Sequence, residues 1–206
     1  MVRIISLDTD GSRTSVLLDN GEKYWFRHED LAGTGIFEGA EMPEDSFFQW
    51  LRLRQYPRAI NQAVAMLARR PCSSGEIISR LTRNRYASEV IELVVYKLEK
   101  ENLLNDMEFC NQWIQYRLTR GYGPGVIRRE LRLKGIAQDM IDTAFESLNE
   151  EDAMDKAETL AMKAWLRKKP DEDLRKTRQK IIGSLVRKGY SWDTAKAACK
   201  SAEGKL

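Results

Sequence analysis

The chain has 206 residues, of which 42% are apolar and 32% are charged, and its net charge is +3. The apolar share is ordinary for a soluble globular protein that buries a core. Three cysteines lie far apart without a Cys-x-x-Cys pair, which argues against a disulfide framework or a zinc site. No run approaches about 18 uncharged apolar residues, and the N-terminus lacks the apolar core of a signal peptide. We therefore expect a cytoplasmic protein with no membrane partner.

The charge is unevenly distributed along the chain. Residues 1–50 carry four basic and ten acidic residues, whereas residues 51–206 carry thirty basic and twenty-one acidic residues. A basic body behind an acidic head suggests an anionic partner for the body. Solubility of a charged, helix-rich protein explains the same composition equally well.

The first thirty residues predict a small antiparallel sheet. Two dipeptides, Asp10-Gly11 and Asn20-Gly21, are typical of tight hairpin turns because glycine accepts a positive φ. They separate three short apolar runs, at residues 4–7, 15–18 and 24–26. A three-stranded meander of this size is too small to be stable alone, so we expect it to pack on the segment that follows.

From residue 45 onward the apolar residues recur with a helical period. Ser73 followed by Glu76 has the form of a capping box, and Gly123-Pro124 puts proline at the first helical position. Such start and stop signals predict nine helices, at 46–70, 74–84, 89–102, 106–120, 124–134, 138–149, 151–168, 172–188 and 192–203.

The nine helices fall into an internal repeat. An Ile-x-x-x-Leu pair recurs at residues 77–81, 127–131 and 181–185, and a Lys-Gly turn follows the second and third copies. Repeated units of this kind hide their apolar faces against each other. The prediction is a mainly α fold, with three tandem three-helix repeats forming an elongated, curved body behind a small β segment. The predicted domains are residues 1–45, 46–103, 104–149 and 150–206.

Little in the sequence indicates an enzyme or a cofactor. The single histidine, His28, has neither a nucleophile nor a second ligand nearby, and no phosphate-binding glycine loop is present. We expect no catalytic residue, no bound metal and no cofactor.

The middle repeat contains a basic segment from Arg117 to Lys134, with six basic residues and one acid. Arg128 and Arg132 lie four residues apart on one helix face, and the other repeats carry apolar residues or threonine there. The repeat does not require arginine at these positions, which favours a binding function. Arginines at a helix end also complement the helix dipole, and Tyr122 could either stack on a partner or pack under its loop.

Other aromatic residues of the helices are expected to be structural. Phe109, Trp113 and Tyr116 follow a helical stripe, a pattern typical of core positions. Trp165 and Trp192 are expected in the core or between repeats.

The stretches Arg120–Pro124, Ile127–Leu131 and Lys134–Ile136 together resemble the signature of the RecX regulators of the RecA recombinase. Residues 63–81 look like the first repeat of that family, and the likeness spans roughly residues 56–203. One departure is Asn84-Arg85, which stands where the Lys-Gly turn is expected.

The resemblance implies a cytoplasmic protein that binds the RecA filament on single-stranded DNA and inhibits its recombinase, ATPase and co-protease activities. It would thereby modulate DNA repair and the SOS response. The implied contact residues are Arg117, Arg120, Tyr122, Arg128, Arg129, Arg132 and Lys134. The alternative is a direct DNA-binding protein of the helix-turn-helix type, because pairs of short helices and a basic body suit that function too. A monomer is expected, since three repeats and a head can close their own core.

Overall fold

The computed structural model describes residues 1–146, 153–168 and 173–206, together with the backbone of residues 150–152. The predicted helix ends near residues 149 and 172 lie outside the described part. The chain divides into two compact units, residues 1–105 and residues 106–206. Within the described residues, no helix combines the length and the apolar character that crossing a membrane requires.

Unit 1 opens with a four-stranded antiparallel sheet in the order β3-β2-β1-β4. Gly11 and Gly21, in the two predicted hairpin turns, have φ values of 62° and 85°. The predicted meander is therefore confirmed, and the structure adds a fourth short strand. The strands are β1 (Val2–Asp10), β2 (Arg13–Leu18), β3 (Lys23–Arg27) and β4 (Glu41–Met42).

The helices of unit 1 share one core with the sheet. Phe26 of the sheet and Phe47, Leu51, Ile77 and Leu81 of the helices are all buried in one cluster. The expectation that the sheet packs on the following segment is thus confirmed. The helices are α1 (His28–Leu31), α2 (Glu44–Leu67), α3 (Ser74–Arg83) and α4 (Ser88–Lys100).

A buried glutamine ties the sheet to the first repeat. The Gln55 side chain donates from Nε2 to the Trp25 carbonyl oxygen at 2.8 Å. Its Oε1 accepts from the backbone N–H of Ala87 at 2.8 Å, just before α4 begins. Because a buried amide must satisfy both its donor and its acceptor, Gln55 sets the position of the sheet relative to α4.

Unit 2 contains two further sets of three helices, each around its own core. Ile127 and Leu131 are fully buried in one core, and Ile181 and Leu185 are buried in the other, as the Ile-x-x-x-Leu pattern predicts. The helices are α5 (Asp106–Thr119), α6 (Pro124–Leu133), α7 (Gln138–Glu146), α8 (Glu150–Trp165), α9 (Leu174–Arg187) and α10 (Trp192–Gly204).

All three repeats turn from the second helix to the third in the same way. One residue in each turn has a left-handed backbone: Arg85 (φ 62°), Gly135 (φ 78°) and Gly189 (φ 96°). The next residue donates its N–H at 3.2 Å to the carbonyl of the repeat leucine, which is Leu81, Leu131 or Leu185. This is the Schellman geometry that ends helices. Three three-helix repeats are confirmed, and Asn84-Arg85 departs from the family pattern in sequence but not in conformation.

Two aromatic residues predicted to be core are exposed. Phe109 and Trp165 are buried as expected, but Tyr116 is 47% exposed and Trp192 is 61% exposed. Tyr116 stands at the edge of the apolar face of α5, and Trp192 is the first residue of α10. The prediction was wrong at both positions because helical spacing does not say how far the packing of neighbouring helices extends.

Candidate partner-binding surface

The glycine-rich segment between α5 and α6 makes a close backbone contact with the turn between α9 and α10. The N–H of Gly123 donates to the Lys188 carbonyl oxygen at 2.7 Å, and the N–H of Gly125 donates to the Gly189 carbonyl oxygen at 2.9 Å. A Cβ at Gly123 would lie 2.5 Å from the carbonyl carbon of Gly189. The glycines of this segment therefore serve the packing of the second repeat on the third.

Tyr122 lies in the same segment and packs within unit 2. The guanidinium carbon of Arg117 lies 3.6 Å from the centroid of its ring, and Lys188 Nζ lies 5.3 Å from it. Cations over an aromatic ring are attracted by its π electrons. Of the two roles considered for Tyr122, packing under its loop is the one that these contacts support.

Arg117 is held by the helix that follows it. Its side chain is 17% exposed and forms an ion pair with Glu130. Glu130 also accepts a hydrogen bond of 3.1 Å from the indole nitrogen of Trp113. Burial opposes the charge of Arg117, but the hydrogen bond to Glu130 and the contact with Tyr122 raise its pKa. Arg117 thus joins α5 to α6 and has little surface left for a partner.

Lys134 is likewise engaged by the aromatic residues of α5. Its Nζ lies 4.2 Å from the ring centroid of Trp113 and 5.5 Å from that of Phe109. The two rings are stacked with their centroids 6.0 Å apart. Lys134 is the C-terminal cap residue of α6, so these contacts fix that helix end on α5.

Arg128 is partly used by the fold. It pairs with Asp142 of α7, and its guanidinium carbon lies 4.1 Å from the ring centroid of Phe145. A hydrogen bond from Gln138 and the ion pair with Arg128 lower the pKa of Asp142. The Arg128 side chain remains 34% exposed. Its neighbour in the predicted pair, Arg132, is exposed, so the two residues have different environments.

The remaining predicted residues form what we call the exposed arginine set: Arg120, Arg129 and Arg132. Arg120 follows α5 with its guanidinium carbon 5.2 Å from the Tyr116 ring centroid, whereas the other two lie on α6. Among the residues that the structure describes, none of the three forms an ion pair. Exposed guanidinium groups that form no ion pair can make bidentate hydrogen bonds to phosphate or carboxylate.

Two further exposed basic residues of unit 2 lie outside the predicted set. Lys176 and Arg187 are exposed on α9. They are eleven residues apart, which is close to three helical turns and places them on one side of the helix.

The described residues contain no cluster of histidine, cysteine and acidic side chains that could hold a metal ion. The three cysteines are buried, and no disulfide bond links any two of them. His28 Nδ1 lies 3.5 Å from the hydroxyl of Thr14, which gives the ring a contact within the sheet.

Three family models match the chain in order. They describe the first three-helix domain of RecX (residues 59–98), the second (residues 105–144) and the third (residues 150–199). The matches fall on the helical repeats and leave the β sheet of unit 1 outside.

Curated relatives named regulatory protein RecX match nearly the whole chain. One from Bacillus licheniformis is 29% identical over 206 residues, covering 98% of this chain and 77% of the relative. Another from Listeria welshimeri is 28% identical over 196 residues, covering 94% of this chain and 72% of the relative.

Solved structures share the fold. A crystal structure of regulatory protein RecX aligns with a TM-score of 0.64 at 23% identity, covering 98% of this chain and all of the other. RecX from Lactobacillus salivarius aligns with a TM-score of 0.66 at 23% identity, covering 72% of this chain and 96% of the other. With the three matched domains and the named relatives, the chain belongs to the RecX family of regulatory proteins.

Proposed function

We propose that this chain binds the filament that RecA forms on single-stranded DNA and inhibits the recombinase, ATPase and co-protease activities of that filament. Such inhibition would modulate DNA repair and the SOS response. The proposal rests on membership of the RecX family, whose relatives are named regulatory proteins. It rests also on the exposed arginine set, which is the single observation in the structure that carries it.

We favour those predicted contact residues whose side chains are not engaged within unit 2. Arg117, Tyr122 and Lys134 are occupied by contacts within unit 2, and Arg128 is shared with Asp142. The exposed arginine set remains available for phosphate or for acidic groups of a protein. An exposed arginine without an ion pair can bind a partner without breaking an ion pair within the protein. A partly buried arginine would have to leave its ion pair, and this would lower the stability of the fold.

The first test is the ATPase activity of RecA on single-stranded DNA, with this protein added in substoichiometric amounts. The wild-type chain is expected to lower the rate strongly, because one regulator on a filament affects many subunits. The double variant Arg129→Glu, Arg132→Glu should inhibit at least about tenfold less well, since it removes two candidate contacts and adds repulsion.

A matched control is Arg80→Glu with Arg83→Glu on α3, which changes the charge equally at the same spacing on the equivalent helix. This control should inhibit like the wild type. Equal inhibition by the α6 double variant and the wild type would remove the exposed arginines from the binding surface.

The same assay distinguishes binding to the RecA filament from direct binding to DNA. If inhibition begins only when the protein saturates the DNA, simple competition for the strand explains it. Affinity for naked single-stranded DNA that falls steeply with salt and does not depend on RecA would then favour the direct DNA-binding alternative.

A further inference from the structure

Unit 1 contains a groove that no sequence motif indicates. It has a volume of about 670 Å³ and lies between the β2–β3 turn, α3 and α4. We call it the α3–α4 groove. Its apolar lining consists of Tyr24, Ile78, Tyr86, Ile91, Val95 and Tyr96. A cleft of this size is large enough for one or two side chains of a partner.

Two of these lining residues are unusually exposed for their size. Ile78 on α3 is 42% exposed, and Tyr96 on α4 is 62% exposed. By the repeat pattern, the core of α3 needs only Ile77 and Leu81, which are fully buried. The exposed surface of Ile78 and Tyr96 thus makes no contribution to the core, and burying it against a partner would be favourable.

The rim of the groove is acidic. Glu92 and Glu99 lie on the same face of α4 as Tyr96, four residues before it and three after it. Both are exposed, and neither forms an ion pair among the described residues, although Lys100 Nζ lies 6.0 Å from the Tyr96 ring centroid. Glu22 adds a third carboxylate from the β2–β3 turn.

The basic lining residue, Lys23, does not cancel this charge. Its Nζ lies 3.9 Å from a carboxylate oxygen of Asp8 and 5.3 Å from the ring centroid of Trp25. Two carboxylates lie beside the Tyr24 hydroxyl, which donates to Glu22 at 2.9 Å and to Glu89 at 3.2 Å. Burial and these carboxylates raise the pKa of Tyr24.

We infer that the α3–α4 groove is the docking site for a protein segment that inserts an apolar or aromatic side chain flanked by lysine or arginine. The apolar floor selects the inserted side chain, and the unpaired carboxylates select the flanking cations. Nucleic acid is a poor occupant because phosphates would face Glu92 and Glu99. The inference rests on the proposed function, since it assigns this groove to the RecA subunits of the filament.

Two single variants test the groove: Tyr96→Ala removes apolar surface, and Glu92→Lys reverses a rim charge. Their full-length forms are titrated onto a RecA filament on labelled single-stranded DNA and, separately, onto the same DNA without RecA. Tyr96→Ala should bind the filament about tenfold less tightly, as is typical of an anchoring aromatic residue. Glu92→Lys should bind it about threefold less tightly, because the new cation repels the flanking cations of the partner.

Neither variant should lose affinity for naked DNA. Naked DNA should bind Tyr96→Ala like the wild type, and should bind Glu92→Lys equally or more tightly because the chain becomes more positive. The controls are Leu53→Ala, an exposed apolar residue of α2 outside the groove, and Glu101→Lys at the end of α4. Both controls should bind the filament like the wild type.

The outcomes separate the two proposals. Filament binding by both groove variants at wild-type affinity overturns the groove inference and leaves the proposed function standing. A wild-type chain that binds the filament no better than naked DNA overturns the proposed function, and the groove assignment falls with it. Because Tyr96 and Glu92 are exposed, both variants should melt within a few degrees of the wild type, which thermal unfolding checks.

Discussion

The backbone N–H of Gly123 donates a 2.7 Å hydrogen bond to the carbonyl oxygen of Lys188. This bond joins the turn that opens the second helix of the second repeat to the turn that closes the second helix of the third. Because Lys188 Nζ also lies over the Tyr122 ring, one residue contributes both backbone and side-chain contacts. The segment that resembles the family signature thus packs the second repeat against the third within unit 2, and the exposed arginines beside it are the contact residues that we propose.

Gly123→Ala is expected to destabilise unit 2 by about 1–3 kcal/mol, as overpacked sites do. The added methyl group would lie 2.5 Å from the Gly189 carbonyl carbon, and rigid backbone rather than a mobile side chain stands in its way. Gly183→Ala in α9 is the control, since its methyl group would meet only Arg187 at 3.5 Å. The control should stabilise the helix by about 0.5–1 kcal/mol. Chemical denaturation measures both, and equal midpoints for Gly123→Ala and wild type would contradict the packing role.

Replacing Arg85 tests the turn of the first repeat. Its φ of 62° favours glycine, but its guanidinium carbon lies 3.9 Å from the Trp25 ring centroid and its Nη1 pairs with Asp10 at 3.1 Å. Arg85→Gly and Arg85→Ala both lose these contacts. The alanine variant should be the less stable of the two by about 1 kcal/mol, because only glycine adopts this conformation without strain.

The control is a position where alanine, and not glycine, should give the more stable protein. Ser79 is exposed within α3, where Ser79→Ala should be more stable than Ser79→Gly by about 1 kcal/mol. Thermal unfolding of the four variants shows whether the glycine or the alanine variant is the more stable at each position. If alanine were also the better residue at position 85, the left-handed turn assigned to Arg85 would be incorrect.

Glu130→Ala should destabilise unit 2 by about 2–3 kcal/mol. Glu130 satisfies both the Arg117 guanidinium and the Trp113 indole N–H. Its removal leaves a mostly buried cation whose Nε already lacks a hydrogen-bond partner among the described residues. The neighbouring Arg129→Ala, at an exposed position, should stay within about 0.5 kcal/mol of the wild type. Similar unfolding free energies for the two variants would show that the Arg117–Glu130 pair is dispensable.

Alkaline pH should weaken unit 2 through Cys110. Burial, assisted by Asp106, raises the pKa of this thiol from 9.0 to about 11. The folded chain therefore keeps the thiol protonated between these values, while the unfolded chain ionises it. The stability that this group contributes is fully present below pH 9 and is lost as the pH rises toward 11, a change on the order of 2 kcal/mol.

Cys110→Ala removes this titration. The free energy of unfolding of the variant should fall less steeply than that of the wild type between pH 9 and pH 11, whatever its stability at pH 7. Parallel curves for the two proteins would mean that the thiol ionises equally in the folded and unfolded chains. Denaturant titrations at several pH values provide the comparison.

Local patterns in the sequence determined much of the fold. Helical periodicity and the glycine turns placed the helices and hairpins, because both depend on residues within a few positions of each other. The Ser73–Glu76 capping box forms as predicted, with the Glu76 N–H donating to Ser73 Oγ at 3.2 Å. The recurring Ile-x-x-x-Leu pair identified the repeats since each copy must bury the same face.

The ion pairs of the arginines could not be predicted from such local patterns. Arg128 and Arg132 are equivalent by helical spacing, yet only Arg128 has an ion-pair partner in the described structure, Asp142. Arg117 is held by Glu130, which lies thirteen residues away and on another helix. Spacing along one helix gives the side of that helix on which a residue lies. It does not say which side chain of a neighbouring helix comes opposite.

Taken by itself, the sequence determined the helices, the turns, the repeat and the family resemblance, since these are set by interactions along short stretches of chain. Only the tertiary structure decided which basic side chains form ion pairs. It also decided that position 123 has no room for a side chain and that Tyr96 and Glu92 line an open groove. Each of those properties depends on residues that are distant in sequence and are brought together by packing, where the burial of a charge or the absence of a partner is decided.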